Sequence, residues 1–583
     1  MKKLFTAVFI LISAFLLKPA SAYSQEKLSN YNTSWTAVIP GIPLCEPAVT
    51  SYGFCIATDA RNIMGFSSSG KLLWEKNIGR IRNLSITTLP CDFVLFFDKS
   101  NNILKLFNPS GGEVWSKALD FTMYSRPLAG RDGRFFVYGQ STLSCYGING
   151  IRRWTLQTSP QKELSAQELP DGSIIIFLAD ENGCTKGLRV SPFGEELENI
   201  TFAGSINMTW TCKDGVLLSF TDGSAGLFSI DKGLSVNRWV AQTKGEKTIF
   251  SVSSDASDFR LLTLSEGAVG VYKLNKTDGS VISSKIFTEI NGRQLERTYF
   301  SKSGLFICDQ KNALLIDDDY NEIWSAQMPD SIQNKNVSFT GYLDNDYLLF
   351  CNRNWSINAY HTAQTTSKIK ESVLKNIQAD YSSFVSAEGI ELNYAAEGSF
   401  FNSVKDPSIS EKIKNGDFGS DEKKWLSQAL SIARLYSLDN TSSDFGIRVE
   451  NSVFKTDSAG FESILLQLSF LTTSQTQNAA ADIISKSLNK SYCRVLMSNM
   501  CGYDPDAKLL DALERNAELA GNKDVSYLNS ICDAVYSVCL FMGRPAYNRK
   551  GREIIKKFMG LGYPSGARTY ARDTLKKIIS LEL

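Results

Sequence analysis

Up to about residue 362, short runs of apolar residues alternate with turns made of Gly, Asn, Asp or Ser. The stretch "DFVLFFDKSNNILKLFNPSGGEVW", residues 92–115, is one example, with two apolar runs, a polar turn after each and a last run that ends in tryptophan. Strand signals separated by such turns are typical of an antiparallel meander. The pattern therefore predicts hairpin-connected strands over this part of the chain.

The same unit recurs about every forty residues and ends on a bulky side chain. Six tryptophans mark it: Trp35, Trp74, Trp115, Trp154, Trp239 and Trp324. The first four are 39, 41 and 39 residues apart, and the last two follow at about twice that interval, with Leu197 and Ser283 at the intervening places. One four-stranded sheet per forty residues is the pattern of a β-propeller blade. We expect each tryptophan to fill the gap between neighbouring blades, because a lone sheet cannot bury both of its faces.

The number of blades depends on how the two ends of the repeat region are counted. Seven closing positions, from 74 to 324, indicate seven blades. The further strands in "NDYLLFCNRNWSINAYH" end at His361 without a closing residue, whereas Trp35 has no inner strands before it. Pairing these two segments would complete an eighth blade and remove an exposed sheet edge. We therefore predict an eight-bladed propeller over residues 23–362, with seven blades as the alternative.

The segment "GKLLW", residues 70–74, and its relatives resemble the repeat of the pyrroloquinoline-quinone-type propellers, over about residues 30–362. That family includes quinone-dependent dehydrogenases and non-enzymatic scaffolds, such as the propeller component of the bacterial outer-membrane β-barrel assembly machinery. The resemblance implies the fold and leaves the chemistry open. The enzymes of the family typically carry a vicinal cysteine pair and long insertions, whereas this chain has no Cys-Cys dipeptide and short blades. We therefore expect no cofactor.

Beyond residue 362 the period of the apolar positions becomes helical. We predict a linker with a helical transition over 363–420 and an all-α domain over 421–583. The stretch after Pro505 ends at Gly521, and "VSYLNSICDAVYSVCLFMG", "KGREIIKKFMGLG" and "PSGARTYARDTLKKIISLEL" continue the series with Gly and Pro between them. Helices of this length with short connections are weakly similar to HEAT-like repeats of an α-solenoid, and an irregular bundle is the alternative.

The first 22 residues have the three regions of a secretory signal peptide. Lys2 and Lys3 precede the apolar run from Leu4 to Leu17, and Ala20-Ser21-Ala22 follows. We expect cleavage before Tyr23 and an exported protein, periplasmic or secreted. The apolar run is shorter than the roughly twenty residues that span a bilayer, and we expect no later spanning segment. The first cysteine is Cys45, so no lipid attachment at the cleavage point is expected.

The charge of the chain is unevenly distributed. Removing the signal peptide takes away three lysines and changes the formal charge from +1 to −2, which excludes a globally basic nucleic-acid binder. The segment from Phe541 to Leu583 contains ten basic residues and only three acidic ones. These cations are Arg544, Arg549, Lys550, Arg552, Lys556, Lys557, Arg568, Arg572, Lys576 and Lys577. Two interpretations remain open: solvated helix faces, which the sequence favours, or a patch for an acidic partner or an anionic membrane surface.

No residue pattern indicates a catalytic or metal site. Several of the twelve cysteines lie inside apolar runs, as Cys55 and Cys351 do, so we expect most of them to be unpaired core residues. His361 is the only histidine, and we expect a structural role for it. The run Asp317–Asp319 lacks the spacing of a calcium loop and is predicted to form a turn.

These observations lead to two functional hypotheses. The first is an exported, non-catalytic scaffold that holds protein partners in the periplasm or cell envelope, with the propeller and the helices as binding surfaces. The second is a propeller enzyme or sensor that binds a quinone or another small ligand, with the helices as a docking module.

Overall fold

The computed structural model describes residues 34–361 and 490–582, apart from short gaps, together with single helical residues between 477 and 485. The predicted signal peptide (1–22), the predicted linker (363–420) and the predicted helices before residue 477 lie outside the described residues. The architecture is a β-propeller followed by a helical region.

Seven four-stranded sheets are each built from four consecutive strands. Sheet 1 contains β2 (Ala48–Thr50), β3 (Gly53–Thr58), β4 (Asn62–Ser67) and β5 (Leu72–Asn77). Sheet 2 contains β6 (Leu84–Leu89), β7 (Phe93–Asp98), β8 (Ile103–Phe107) and β9 (Glu113–Ala118). Sheet 3 contains β10 (Leu128–Ala129), β11 (Phe135–Gly139), β12 (Thr142–Tyr146) and β13 (Arg152–Gln157). Sheet 4 contains β14 (Lys162–Glu168), β15 (Ile174–Ala179), β16 (Thr185–Val190) and β17 (Glu196–Phe202).

The other three follow the same plan. Sheet 5 contains β18 (Ile206–Cys212), β19 (Gly215–Phe220), β20 (Ser224–Ser229) and β21 (Asn237–Gln242). Sheet 6 contains β22 (Lys247–Phe250), β23 (Asp258–Ser265), β24 (Ala268–Asn275) and β25 (Val281–Phe287). Sheet 7 contains β26 (Arg297–Ser301), β27 (Gly304–Cys308), β28 (Asn312–Ile316) and β29 (Glu322–Gln327).

One further four-stranded sheet, sheet 8, is composite. It contains β30 (Val337–Leu343), β31 (Tyr347–Asn352), β32 (Ser356–His361) and, as its outer strand, β1 (Trp35–Val38). The amino-terminal strand β1 runs antiparallel to β32, with Trp35 opposite Ala359 and Val38 opposite Ser356. The sequence had suggested this pairing between segments more than 300 residues apart.

The sheets pack face to face in a closed ring. Eight clusters of buried apolar side chains lie between them, one for each pair of neighbours, including the pair formed by sheets 8 and 1. Alternate residues of an inner strand point to opposite neighbours: Phe306 packs against sheet 8, whereas Leu305 packs against sheet 6. Burial on both faces explains why these strands read as continuous apolar runs.

The first four tryptophans lie between neighbouring sheets, and each meets a glycine in a turn of the sheet that follows. Trp35 contacts Gly70, Trp74 contacts Gly111, Trp115 contacts Gly150 and Trp154 contacts Gly194. These glycines have φ between +73° and +91°, and a Cβ atom on any of them would come within about 3.1 Å of the indole. Glycine is therefore required both by the turn and by the packed ring. The side chains of Trp239 and Trp324 lie outside the described residues.

Five helices form the described carboxy-terminal region. They are α1 (Lys490–Asn499), α2 (Leu509–Ala520), α3 (Val525–Met542), α4 (Pro545–Phe558) and α5 (Ser565–Ser580). The apolar helix α3 contacts each of the other four, so it forms the centre of this domain. Its first turn is capped by Asp524, which accepts a hydrogen bond from the Tyr527 amide, and Gly543 ends it in the left-handed conformation. The helical prediction is confirmed here, and the HEAT-like repeat type stays a prediction.

Candidate functional site

The helical domain packs against one end of sheets 2 and 3 through two asparagines in equivalent turns. Asn108 follows β8, and its Oδ1 accepts hydrogen bonds from the backbone amides of Ser110 and Gly112. This fixes the side chain, so that its amide group donates to the Leu540 carbonyl of α3 at 2.7 Å. Asn149 lies in the turn after β12, where its Oδ1 accepts a hydrogen bond from the Ile151 amide and its amide group donates to the Asn499 carbonyl of α1 at 3.0 Å.

Between these hydrogen bonds the contact is apolar and aromatic. Phe93, at the start of β7, is fully buried, and its ring lies 6.0 Å from the rings of both Tyr503 and Phe541. The Tyr503 hydroxyl lies 3.2 Å from the Cys91 thiol. One continuous cluster contains these residues together with core side chains of sheets 2 and 3 and of all five helices. The two domains therefore share a core.

Gly543 brings the end of α3 close to sheet 2. Its φ is +58°, and a Cβ atom there would lie 2.5 Å from both Asn108 Nδ2 and Ser110 Oγ. The conformation and the approach both favour glycine at this position. The turn that ends α3 is therefore also part of the contact between the domains.

The ten cations of the predicted basic patch differ in whether they have acidic partners. Four of them are in ion pairs with acidic residues of the helical domain: Lys550, Arg552, Lys557 and Lys576. The other six have no ion pair with a described residue: Arg544, Arg549, Lys556, Arg568, Arg572 and Lys577. Lys577 lies over the Tyr536 ring at 5.6 Å.

Glu514 of α2 is the centre of the strongest ion-pair group. Its carboxylate accepts hydrogen bonds from Lys550 and Lys557 of α4, each at 2.5 Å. The hydrogen bonds from Lys550 and then Lys557 hold the pKa of Glu514 below its ordinary value of 4.5. These pairs fasten α4 to α2 and neutralise one side of α4.

We expect Glu514→Gln to lower the free energy of unfolding by roughly 0.5–1 kcal/mol at neutral pH, because the two lysines are partly exposed. Since the folded pKa is depressed, this contribution is present above pH 4.5 and is lost as the pH falls through the folded pKa. Urea titrations at pH 7 and pH 3 measure it. The difference between the variant and the parent should shrink at pH 3, and Glu518→Gln, which removes a more exposed and longer pair, should have a smaller effect.

Six of the described thiols are buried rather than reactive. Cys45, Cys55, Cys351, Cys501, Cys532 and Cys539 are buried and free. Burial raises the pKa of Cys45, Cys55, Cys532 and Cys539 to about 12 and raises those of Cys351 and Cys501 as well. A thiol in this state is a poor nucleophile, because only the thiolate reacts.

We therefore expect these six thiols to resist alkylation by iodoacetamide in the folded protein at pH 8 and to react in guanidinium chloride. A rise in pKa from 9 to about 12 lowers the thiolate fraction about a thousandfold, and burial also restricts access. Mass spectrometry of tryptic peptides gives the extent of labelling at each cysteine. Rapid labelling of Cys55 or Cys532 in the native state would contradict the described packing.

His361 and the acidic run Asp317–Asp319 both make contacts within the propeller. His361 ends β32, where its backbone amide donates to Ser34 Oγ and its ring lies 5.0 Å from that of Tyr347. Asp317 Oδ1 accepts hydrogen bonds from the amides of Asp319 and Asn321, as the predicted turn requires. Within the described residues, no three His, Cys, Asp or Glu side chains form a group that could hold a metal ion.

Among the described helices, α3 alone is long and apolar enough to cross a membrane by length and composition. The sequence had suggested no such segment after the signal peptide. More than half of this helix is buried inside the helical domain, and its apolar residues contact the other helices. Its hydropathy is therefore that of a core helix.

No protein-family model matches the chain, and no curated protein sequence matches it. Several solved propeller structures resemble it at low identity. BamB from Moraxella catarrhalis, a propeller of the repeat type that the sequence resembles, is 12% identical with a TM-score of 0.41, covering 57% of this chain and 99% of BamB. Sqt1 from Saccharomyces cerevisiae is 10% identical with a TM-score of 0.45, covering 57% of this chain and 100% of Sqt1. At these identities the likeness concerns the fold and not the activity.

Proposed function

We propose that the chain is a non-catalytic scaffold that holds protein partners on the surfaces of its propeller and its helical domain. The observation that carries the proposal is the shared core between sheets 2 and 3 and the five helices. A buried aromatic contact flanked by two asparagine hydrogen bonds holds the two domains as one body. Rigid, preformed surfaces bind partners without the entropic cost of ordering them first.

The place of action that we propose is the periplasm or cell envelope. The support is the sequence of residues 1–22, in which two lysines, an apolar run and a group of small residues follow one another as in a secretory signal peptide. Fractionation of cells that express the full chain with a carboxy-terminal tag tests it. The protein should appear outside the cytoplasm with Tyr23 as its first residue, and a cytoplasmic protein that keeps residues 1–22 would contradict the proposal.

Photo-crosslinking in intact cells tests the scaffold role directly. A photoreactive amino acid replaces Trp355, 55% exposed on the propeller, or Leu561, 91% exposed on the helical domain. Reproducible crosslinks from either position to the same few envelope proteins are expected. Phe93, buried under the helices, gives the matched position that should yield crosslinks only within the chain. Absence of intermolecular crosslinks at both exposed positions would count against a scaffold.

The enzyme or sensor hypothesis has a separate test. Purified protein is titrated with pyrroloquinoline quinone and calcium while the visible absorption spectrum is recorded. The scaffold proposal predicts no tight chromophoric complex. A stoichiometric complex with a shifted spectrum would replace it with the quinone-binding alternative.

A further inference from the structure

Five cations of the helical domain lie along one seam between its last two helices, and four of them have no ion pair with a described residue. Helical spacing places Arg549, Arg552 and Lys556 on one side of α4, and Arg568 and Arg572 on one side of α5. The two helices are joined by a short loop and pack against each other. The Arg552 guanidinium lies 2.9 Å from the carboxylate of Glu582, just after α5. This ion pair shows that these two sides border the same surface. We name these five residues the basic seam.

The side of α4 that faces α2 is different, because its lysines already have partners. Lys550 and Lys557 are paired with Glu514 of α2, and Lys557 also lies near Glu518. In the seam, Glu582 is the only described acidic residue in an ion pair, and it pairs with Arg552 alone. Glu553, between Arg549 and Lys556 in the sequence, is exposed and makes no described ion pair. The seam therefore keeps an excess of positive charge that the fold itself does not use.

The composition of the seam suggests what it binds. Four of its five cations are arginines, whose planar guanidinium groups bind carboxylates with two parallel hydrogen bonds. Ile579 and the half-buried Leu575 lie on the same side of α5 as Arg568 and Arg572, and Ile579 is 43% exposed. Arginines therefore line two neighbouring helices, and an apolar position lies beside them. This surface is complementary to a peptide that carries carboxylates and an apolar residue.

We propose that the basic seam binds an acidic segment of a protein partner. This inference rests on the proposed scaffold function and specifies one of its surfaces. Lipid membranes are the other anionic surface in the envelope, but Leu561, the most exposed large apolar side chain among the described residues, lies in the loop beyond the end of the seam. The seam itself offers arginine pairs rather than a broad apolar face.

The test measures binding of a fluorescein-labelled peptide of alternating glutamate and leucine by fluorescence anisotropy, with the full mature protein. Arg568→Gln combined with Arg572→Gln removes two charges from the seam. Lys523→Gln combined with Lys577→Gln removes two charges elsewhere in the same domain and is the matched control. Circular dichroism verifies that both double variants keep the parent fold.

The proposal predicts saturable binding that weakens at least about tenfold in the seam variant and less than about twofold in the control. Binding should also fall with added salt. Arg568→Lys with Arg572→Lys should be intermediate, since lysine keeps the charge but not the paired hydrogen bonds. Equal losses in the two glutamine variants, or no saturable binding, would overturn the proposal.

Vesicles with and without phosphatidylglycerol separate the two anionic partners. Binding to the anionic vesicles that needs Leu561 and the seam, without binding of the peptide, would overturn the proposal in favour of a membrane surface. The scaffold function is tested separately by the crosslinks from Trp355, because that position lies on the propeller. If crosslinks from Trp355 persist but the seam binds no peptide, the scaffold function stands and the proposed role of the seam is wrong.

Discussion

Trp74→Ala is expected to lower the free energy of unfolding by about 3–5 kcal/mol, the usual cost of truncating a buried aromatic side chain. The indole is 9% exposed and lies in the cluster between sheets 1 and 2. It stacks 6.5 Å from the Phe107 ring and contacts Gly65 and Gly111 on either side. Alanine would leave a cavity between the two sheets. The closed ring keeps the sheets from moving together to fill that cavity. Urea denaturation followed by far-ultraviolet circular dichroism measures the loss.

Trp355→Ala is the matched control for this prediction. Trp355 is in the turn between β31 and β32 and is 55% exposed, so its removal should change the stability by less than about 0.5 kcal/mol. Similar losses in the two variants would show that Trp74 is not a wedge between sheets.

Phe541→Ala is the second substitution with a large expected effect, again about 3–5 kcal/mol, because Phe541 is 7% exposed and packs on Phe93 across the contact between the domains. We expect the helical domain to unfold separately from the propeller in the variant, as two calorimetric transitions in place of one. Phe93→Ala, a change in the propeller, should likewise destabilise the helices.

A double-mutant cycle separates the contact from general loss of packing. Phe93 and Phe541 should show a coupling energy of about 0.5–1.5 kcal/mol, as expected for paired rings. Phe558 is also buried but meets Tyr563 inside the helical domain in an edge-to-face arrangement, with ring centroids 5.4 Å apart. Coupling between Phe93 and Phe558 should therefore stay below about 0.5 kcal/mol. Equal coupling in both pairs would contradict the described contact.

The repeat made the propeller predictable, because each blade repeats the same physical requirement. A four-stranded sheet needs turns at regular intervals and a bulky group to fill the wedge to its neighbour. The chain meets this need with a tryptophan about every forty residues and a glycine in the next sheet, such as Gly111 for Trp74. The pairing of β1 with β32 followed from the unmatched ends of the repeat.

The contact between the domains could not be predicted in the same way. Asn108 and Asn149 look like ordinary turn residues, and Phe93 looks like any core residue of a strand. Only the folded chain shows that these three positions meet the helices, because the contact joins segments about 350–450 residues apart.

The basic patch was predicted from net charge, which counts cations without pairing them. Ion pairs to Glu514 and Glu582 depend on which helices are neighbours, and this is a tertiary property. Helical spacing alone could have divided the cations of α4 into two sides. It could not have identified the side that faces α2.

A single engineered disulfide tests whether β1 closes the ring of sheets. Thr36 of β1 and Asn358 of β32 are opposite each other, with 3.2 Å between their side-chain oxygens, although 322 residues separate them in the sequence. Neighbouring Ile39 donates its amide to the Trp355 carbonyl, so the alternation of the ladder makes Thr36 and Asn358 a closely spaced pair without backbone hydrogen bonds. That spacing is suitable for a disulfide.

The measurement is the yield of this disulfide in Thr36→Cys/Asn358→Cys after mild oxidation of the folded protein, read by mass spectrometry of the linked peptides. Thr36→Cys/Ser356→Cys, two residues out of register, is the control. If β1 closes the ring in the described register, the 36–358 bond forms nearly completely and the 36–356 bond forms little. Equal yields, or no bond between β1 and β32, would contradict a ring closed by its first strand.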